Sequence, residues 1–277
     1  MRLATVRRAD GTTRAARVEG DELVLLDAAD VGGVIASGAD WAARAAAAGG
    51  ERIALADATL ATLITRPPKI WCVGLNYANH IAETNSKTPE FPTMFAKYTI
   101  ALTGPTDPIA VPAASERVDW EVELGVVIGR GGRNVSAADA LDHVAGYTVV
   151  NDVSMRDWQR RTQQFLQGKT WEKATPVGPW LVTADELPAG GKGLRVQTLV
   201  DDQTMQDDNT DQLLFDVPTL IAYVSTVASL EPGDLIATGT PAGVGAGRTP
   251  PVFLKAGQTM RTIIEGIGEL TNPIVAG

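Results

Sequence analysis

Apolar residues in this chain come in short runs broken by glycine, proline and Asp-Gly signals, not in long helical stripes. Such runs, bounded by turn residues, are the pattern of strands. They fall at residues 70–75, 120–128, 146–150, 180–182, 194–200, 235–237 and 260–264. Helical spacing is rarer. The Ala-rich segment 40–48 stops at Gly49-Gly50, and 217–230 carries Pro218 in its first turn. Two further helices are expected at 136–141 and 154–166, each opened by a serine able to cap it. Strands dominate and helices do not alternate with them. This predicts an α+β, β-rich fold and not a doubly wound α/β sheet. Residues 1–66 read as a small N-terminal domain with turns at Asp10-Gly11 and Gly20-Asp21. Arg66-Pro67-Pro68 then stiffens the chain, and 67–277 form the larger domain.

One strand breaks the pattern. In DWEVELGVVIG, residues 119–129, period-two alternation puts Trp120, Val122, Leu124 and Val126 on one face. Asp119, Glu121 and Glu123 share the other, with same-face neighbours about 7 Å apart. Taken alone, this is either a strand with a wet face or a site for a hard cation that cancels the repulsion.

Charge and composition narrow the choices. The net charge is −9, and no basic stripe runs along the chain, which argues against nucleic-acid binding. No apolar run is long enough to span a bilayer, and the first residues lack the apolar core of a signal peptide. The expectation is a cytoplasmic protein with no membrane partner. Cys72 is the single cysteine, so neither an internal disulfide nor a cysteine metal site is available. It reads as a buried strand residue. AGVGAG at 242–247 is no dinucleotide loop, because Arg248-Thr249-Pro250-Pro251 follows it where a helix would have to begin.

Asp152 stands where a strand-like run ends, a usual place for functional groups. With Glu121 and Glu123 it could complete a three-carboxylate set. Oxygen ligands without His or Cys suit Mg²⁺ or Mn²⁺. Of the two histidines, His143 reads as structural. His80 lies three residues before Glu83, so in a helix the two share a face and can act as a general-base pair.

Six blocks in order resemble the fumarylacetoacetate hydrolase family. They are KIWCVGLNYANHIAE, FPTMFAKYTIALTGPTDPI, VDWEVELGVVIG, GYTVVNDVSMRDWQ, GKTWEKATPVGPWLVT and LIAYVSTVASLEPGDLIATGTPAGVG. The resemblance covers nearly the whole chain and implies a mixed β-sandwich roll, usually a homodimer, often with a small N-terminal domain. It implies that Glu121, Glu123 and Asp152 hold the metal. It implies that His80 and Glu83 activate water from a lid segment, and that Lys169 reaches the substrate. Arg156, Gln159 and Thr240 match substrate-contacting positions. The first two lie four and seven residues after Asp152, on one side of the expected helix. Tyr77, Lys97 and Trp171 are expected to help shape the pocket. Relatives commonly show Lys-Ser-Phe-Asp where this chain has Lys169-Thr170-Trp171-Glu172, which puts the pocket's shape in question.

The activity so implied is a divalent-metal-dependent hydrolase that cleaves a carbon–carbon bond in acylpyruvate-type diketo acids, in aromatic or sugar-acid catabolism. Oxaloacetate decarboxylation, or hydration or isomerisation of 2-oxo acids at the same metal site, is the alternative. A non-enzymatic scaffold that kept the fold is the remote one.

Overall fold

The computed structural model describes residues 1–277. Its main element is a 12-stranded mixed sheet. Strand Val122–Ile128 lies near its middle, antiparallel to Val144–Asn151 on one side and to Leu235–Ala237 on the other. Val144–Asn151 continues to Thr175–Thr183, and Leu235–Ala237 pairs in parallel with Ile70–Gly74. A second sheet of five strands orders Gln203–Asn209, Arg195–Val200, Thr259–Ile264, Gly268–Ala276 and Ile109–Val111.

The central strand is buried on both faces. Val122, Leu124, Val126 and Ile128 pack with Val196, Ile264 and Leu270 of the second sheet and with helix Val217–Val227. That helix buries Val217, Leu220, Ile221 and Val224, and the Asp216 side chain caps it by accepting from the Thr219 N–H. On the other face, Val127 joins Cys72, Val150, Val177 and Leu181. Leu3, Ala15, Val31 and Leu63 belong to that same core. Strand Arg2–Arg7 also pairs with Thr175–Thr183. The N-terminal residues thus extend the main sheet across the Pro67-Pro68 stretch. Their helices are Val31–Ile35 and Trp41–Ala47.

Two expected helices are cut short. Ser136 does accept from the Asp139 N–H, but only a 3-10 turn, Ala140–His143, follows. In 154–166, Ser154 hydrogen-bonds back to the Asp152 carbonyl and pairs as strand with Val118–Asp119. The helix is only Arg156–Gln159. The Thr162 hydroxyl then bonds to Gln164 and Gln167, a local turn that competes with helix continuation. A second short helix, Leu166–Lys169, brings Lys169 back inward. The helix 217–230 ends at Val227, and Leu230 instead pairs with Gly132.

The close spacing of the central strands depends on Gly146, where a Cβ would lie 2.2 Å from the Val182 carbonyl oxygen. Backbone there cannot move without breaking the ladder to Thr175–Thr183. Gly146→Ala is expected to destabilise the protein by about 1–3 kcal/mol, read as a lower denaturant midpoint. An unchanged midpoint would mean that the strands can spread there at no cost.

Candidate active site and metal centre

The antiparallel register sets Val122 opposite Asn151, and the Asp152 N–H donates to the Glu121 carbonyl at 2.9 Å. Asp152 therefore stands across from Glu121, and Glu123 is the next same-face residue along the strand. One ligand oxygen from each of the three carboxylates lies within 4.8 Å of the others. Glu121 is 4% exposed, Glu123 2% and Asp152 0%. The wet-face reading of this strand is thereby excluded, since isolated carboxylates are not buried without compensation.

The compensation is visible. Lys169 Nζ lies 2.6 Å from Glu121 Oε2 and 2.8 Å from Asp152 Oδ2. Lys97 Nζ lies 2.5 Å from Asp152 Oδ1 and donates to the Thr175 hydroxyl. Arg156 Nη2 is 2.6 Å from Glu121 Oε1, and its Nε donates to Asp119 Oδ2 at 2.7 Å. Burial opposes ionisation of Glu121, but Lys169, Arg156 and His80 outweigh it and hold its carboxyl at about 2. Glu123 has only the Gly239 N–H, at 2.8 Å. Burial, then Asp152 and Glu121, push its carboxyl well above the usual range. Four buried carboxyl groups face three cations, and Glu123 is surplus: it has no cation of its own and would take on its negative charge only with one beside it. An all-oxygen donor set with that surplus fits a hard divalent cation.

His80 and Glu83 occupy the short helix Ala78–Glu83, as the spacing requires. His80 Nδ1 is 3.3 Å from Glu83 Oε2, and Glu83 Oε1 accepts from the Gly243 N–H at 2.9 Å. A carboxylate that only accepts fixes the proton on Nδ1 and leaves Nε2 basic. A cleft of about 180 Å³ joins these parts. His80, Glu121, Glu123, Arg156, Gln159, Lys169 and Thr240 all line it, together with Phe95, Arg160 and Phe165. Glu83 does not; it lies behind the imidazole.

Tyr77 is placed elsewhere. It is fully buried, pairs through its backbone with Leu213, and its hydroxyl has no partner. Burial, then Asp208 and Glu123, push that hydroxyl far above its usual range. Trp171 also stays outside the cleft lining, edge-on to Trp158 with ring centres 5.2 Å apart. The altered Thr170-Trp171-Glu172 stretch therefore packs the flank of the site and not the cleft wall. Lys97 acts on Asp152 from behind. His143 is held by Arg130, its Nδ1 bonding the Arg130 carbonyl.

Three residues escaped the sequence reading. Asp119 accepts from Arg156 and from the N–H groups of Gly245 and Ala246. Its signal was its position on the acidic face of the strand. Gln206 accepts from the Val122 N–H and donates to the Thr240 hydroxyl. Nothing in its surroundings in the sequence marks it. Arg160 lines the cleft four residues after Arg156, a spacing that puts both on one side of a helical turn.

A two-sheet β-rich fold with three inward carboxylates and a histidine–glutamate pair defines a class of enzyme built around an acidic site able to hold a metal ion. A model of the C-terminal domain of fumarylacetoacetate (FAA) hydrolase matches residues 69–275, and the chain belongs to that family. It is similar to the mitochondrial oxaloacetate tautomerase FAHD2A of Bos taurus, 47% identical over 221 residues, or 79% of this chain and 70% of that one. It also resembles the crystal structure of 5-carboxymethyl-2-hydroxymuconate delta-isomerase from Mycobacterium smegmatis. The TM-score is 0.82 at 36% identity, with 100% of this chain and 99% of that one covered. Fumarylacetoacetate hydrolase from Exiguobacterium antarcticum gives a TM-score of 0.87 at 34% identity, over 100% of both chains. No helix is long and apolar enough to cross a membrane.

Lys169→Met would strip two buried carboxylates of a shared cation. Without added metal, the variant should lose about 3–5 kcal/mol of stability. Mg²⁺ or Mn²⁺ should then raise its melting temperature more than that of the native chain. If neither ion stabilises either protein, the three carboxylates are not a cation site.

Proposed function

We propose that this protein is a Mg²⁺- or Mn²⁺-dependent tautomerase or isomerase of small 2-oxo dicarboxylic acids, with oxaloacetate the first candidate. This departs from the carbon–carbon hydrolase expected from the sequence. One observation carries it. Apart from the carboxylates of the metal centre, His80 is the one base lining the cleft, and the carboxylate that orients it lies behind. Moving a proton between carbon and oxygen needs one such base and consumes no water. The tautomerase and isomerase activities named for the similar proteins support the same choice.

Glu121, Glu123 and Asp152 would hold the cation. When bound, it supplies Lewis-acid polarisation of the 2-oxo group. The remaining work falls to the chain itself. His80 Nε2 takes the proton from the carbon next to the ketone, and the electron pair of that C–H bond becomes the carbon–carbon double bond. The carbonyl oxygen then takes up a proton, so the acid changes form without changing composition. Lys169 and Arg156 add positive charge on the side where the oxygen becomes negative. The Thr240 hydroxyl, which accepts from Gln206, keeps its own hydrogen for a ligand. The cleft, of about 180 Å³, has room for a small acid.

Hydrolysis of an acylpyruvate is the second reading, favoured by the same His80–Glu83 pair acting on a water. The two separate in an ultraviolet assay. Enol absorbance of oxaloacetate should relax faster with enzyme and Mg²⁺ or Mn²⁺, and EDTA should abolish the effect. His80→Asn should lower kcat/KM about 10²–10⁴-fold while leaving metal-induced stabilisation intact. Metal-dependent cleavage of acetylpyruvate without effect on oxaloacetate would replace the proposal by the hydrolase, and full activity in His80→Asn would remove the assigned base.

A further inference from the structure

The cations of the cleft are not equivalent. Lys169 is committed to Glu121 and Asp152, Lys97 to Asp152, and Arg156 to Asp119, Glu121 and Gln159. With all four carboxylates ionised, as a bound cation would require, this inner group and its three cations together carry one negative charge. A divalent ion turns that into one positive charge, enough for the 2-oxo carboxylate end of a ligand and no more. A second carboxylate on the ligand therefore needs a cation of its own.

Arg160 is that cation. It lines the cleft and is solvent-exposed, and its guanidinium makes no ion pair or hydrogen bond with the protein. Its neighbour Arg161 is used differently, lying 3.5 Å over the Trp158 ring, which holds it on the outer surface. Two consecutive arginines thus divide: one is tied to an indole, the other is left free at the cleft. An exposed guanidinium can form two parallel hydrogen bonds to a carboxylate without first giving up a partner. Thr84 and Ser86 supply hydroxyls to the same cleft.

We infer that Arg160 is the specificity-determining residue that selects dicarboxylates, by pairing with the carboxylate farthest from the metal centre. This rests on the reading of the cleft as a 2-oxo acid site. Arg160 is not part of the proton-transfer machinery, and its loss should act on binding.

The test compares oxaloacetate with pyruvate, which lacks only the distal carboxylate, by calorimetric titration of the Mg²⁺-loaded protein. Native protein should bind oxaloacetate about tenfold more tightly, and the preference should shrink with added salt. Arg160→Met should abolish the preference while leaving pyruvate affinity unchanged, and Arg160→Lys should restore part of it. In the tautomerase assay, Arg160→Met should raise KM for oxaloacetate with little change in kcat. A preference that survives in Arg160→Met, or a native protein that does not distinguish the two acids, would overturn the inference and leave the tautomerase standing. Binding of neither acid would overturn both.

Discussion

Four carboxylates and three cations share one nearly dry space, and most of the local structure exists to keep them there. Each buried charge would be prohibitive alone. Paired and hydrogen-bonded, they hold one another, but the pairing is incomplete by one positive charge at Glu123. Replacing such a cluster with apolar residues would often stabilise a fold. Its presence in the centre of the main sheet is thus a cost to stability, one that a bound cation would offset.

The segment 239–247 ties this cluster to the base. Its backbone N–H groups reach Glu123 from Gly239, Glu83 from Gly243, and Asp119 from Gly245 and Ala246. Four donors of one loop therefore serve a metal-centre carboxylate, the carboxylate behind His80, and the carboxylate behind Arg156. Glycine is needed here by contact. A Cβ on Gly247 would lie 2.3 Å from the Glu83 carboxyl carbon, and one on Gly245 1.9 Å from the Val252 carbonyl oxygen. The glycine-rich run that superficially suggests a nucleotide loop is a set of acid-binding N–H groups turned toward the protein's own carboxylates.

What the sequence made legible follows from periodicity. Period two placed Glu121 and Glu123 together, the end of an apolar run marked Asp152, and a three-residue step paired His80 with Glu83. The strands were read from the same runs, and all seven survive, six of them with shifted ends. What failed lay where side chains compete with backbone: Ser154 and Thr162 bond locally and dissolve one long expected helix into two short ones. Tyr77 does not line the cleft, because proximity in sequence to His80 says nothing of direction. It precedes the helix in an extended conformation and turns into the core. Gln206 was invisible because its contacts with Val122 and Thr240 cross 84 and 34 residues of chain.

The ammonium of Lys169 between Glu121 and Asp152 sharpens the chemistry of the centre. An ammonium and a divalent ion compete for the same oxygens, and a compact ammonium on a flexible stem can withdraw where a guanidinium locked between Asp119 and Glu121 cannot. Arg156 is thus the more firmly held of the two cations, and Lys169 the one that could yield to a metal ion. Glu121, which both of them touch, keeps one oxygen paired to Arg156 whichever cation takes the other. Lys169 lines the cleft, so an ammonium loosened by a cation at these oxygens would still lie beside the 2-oxo carboxylate end of a ligand.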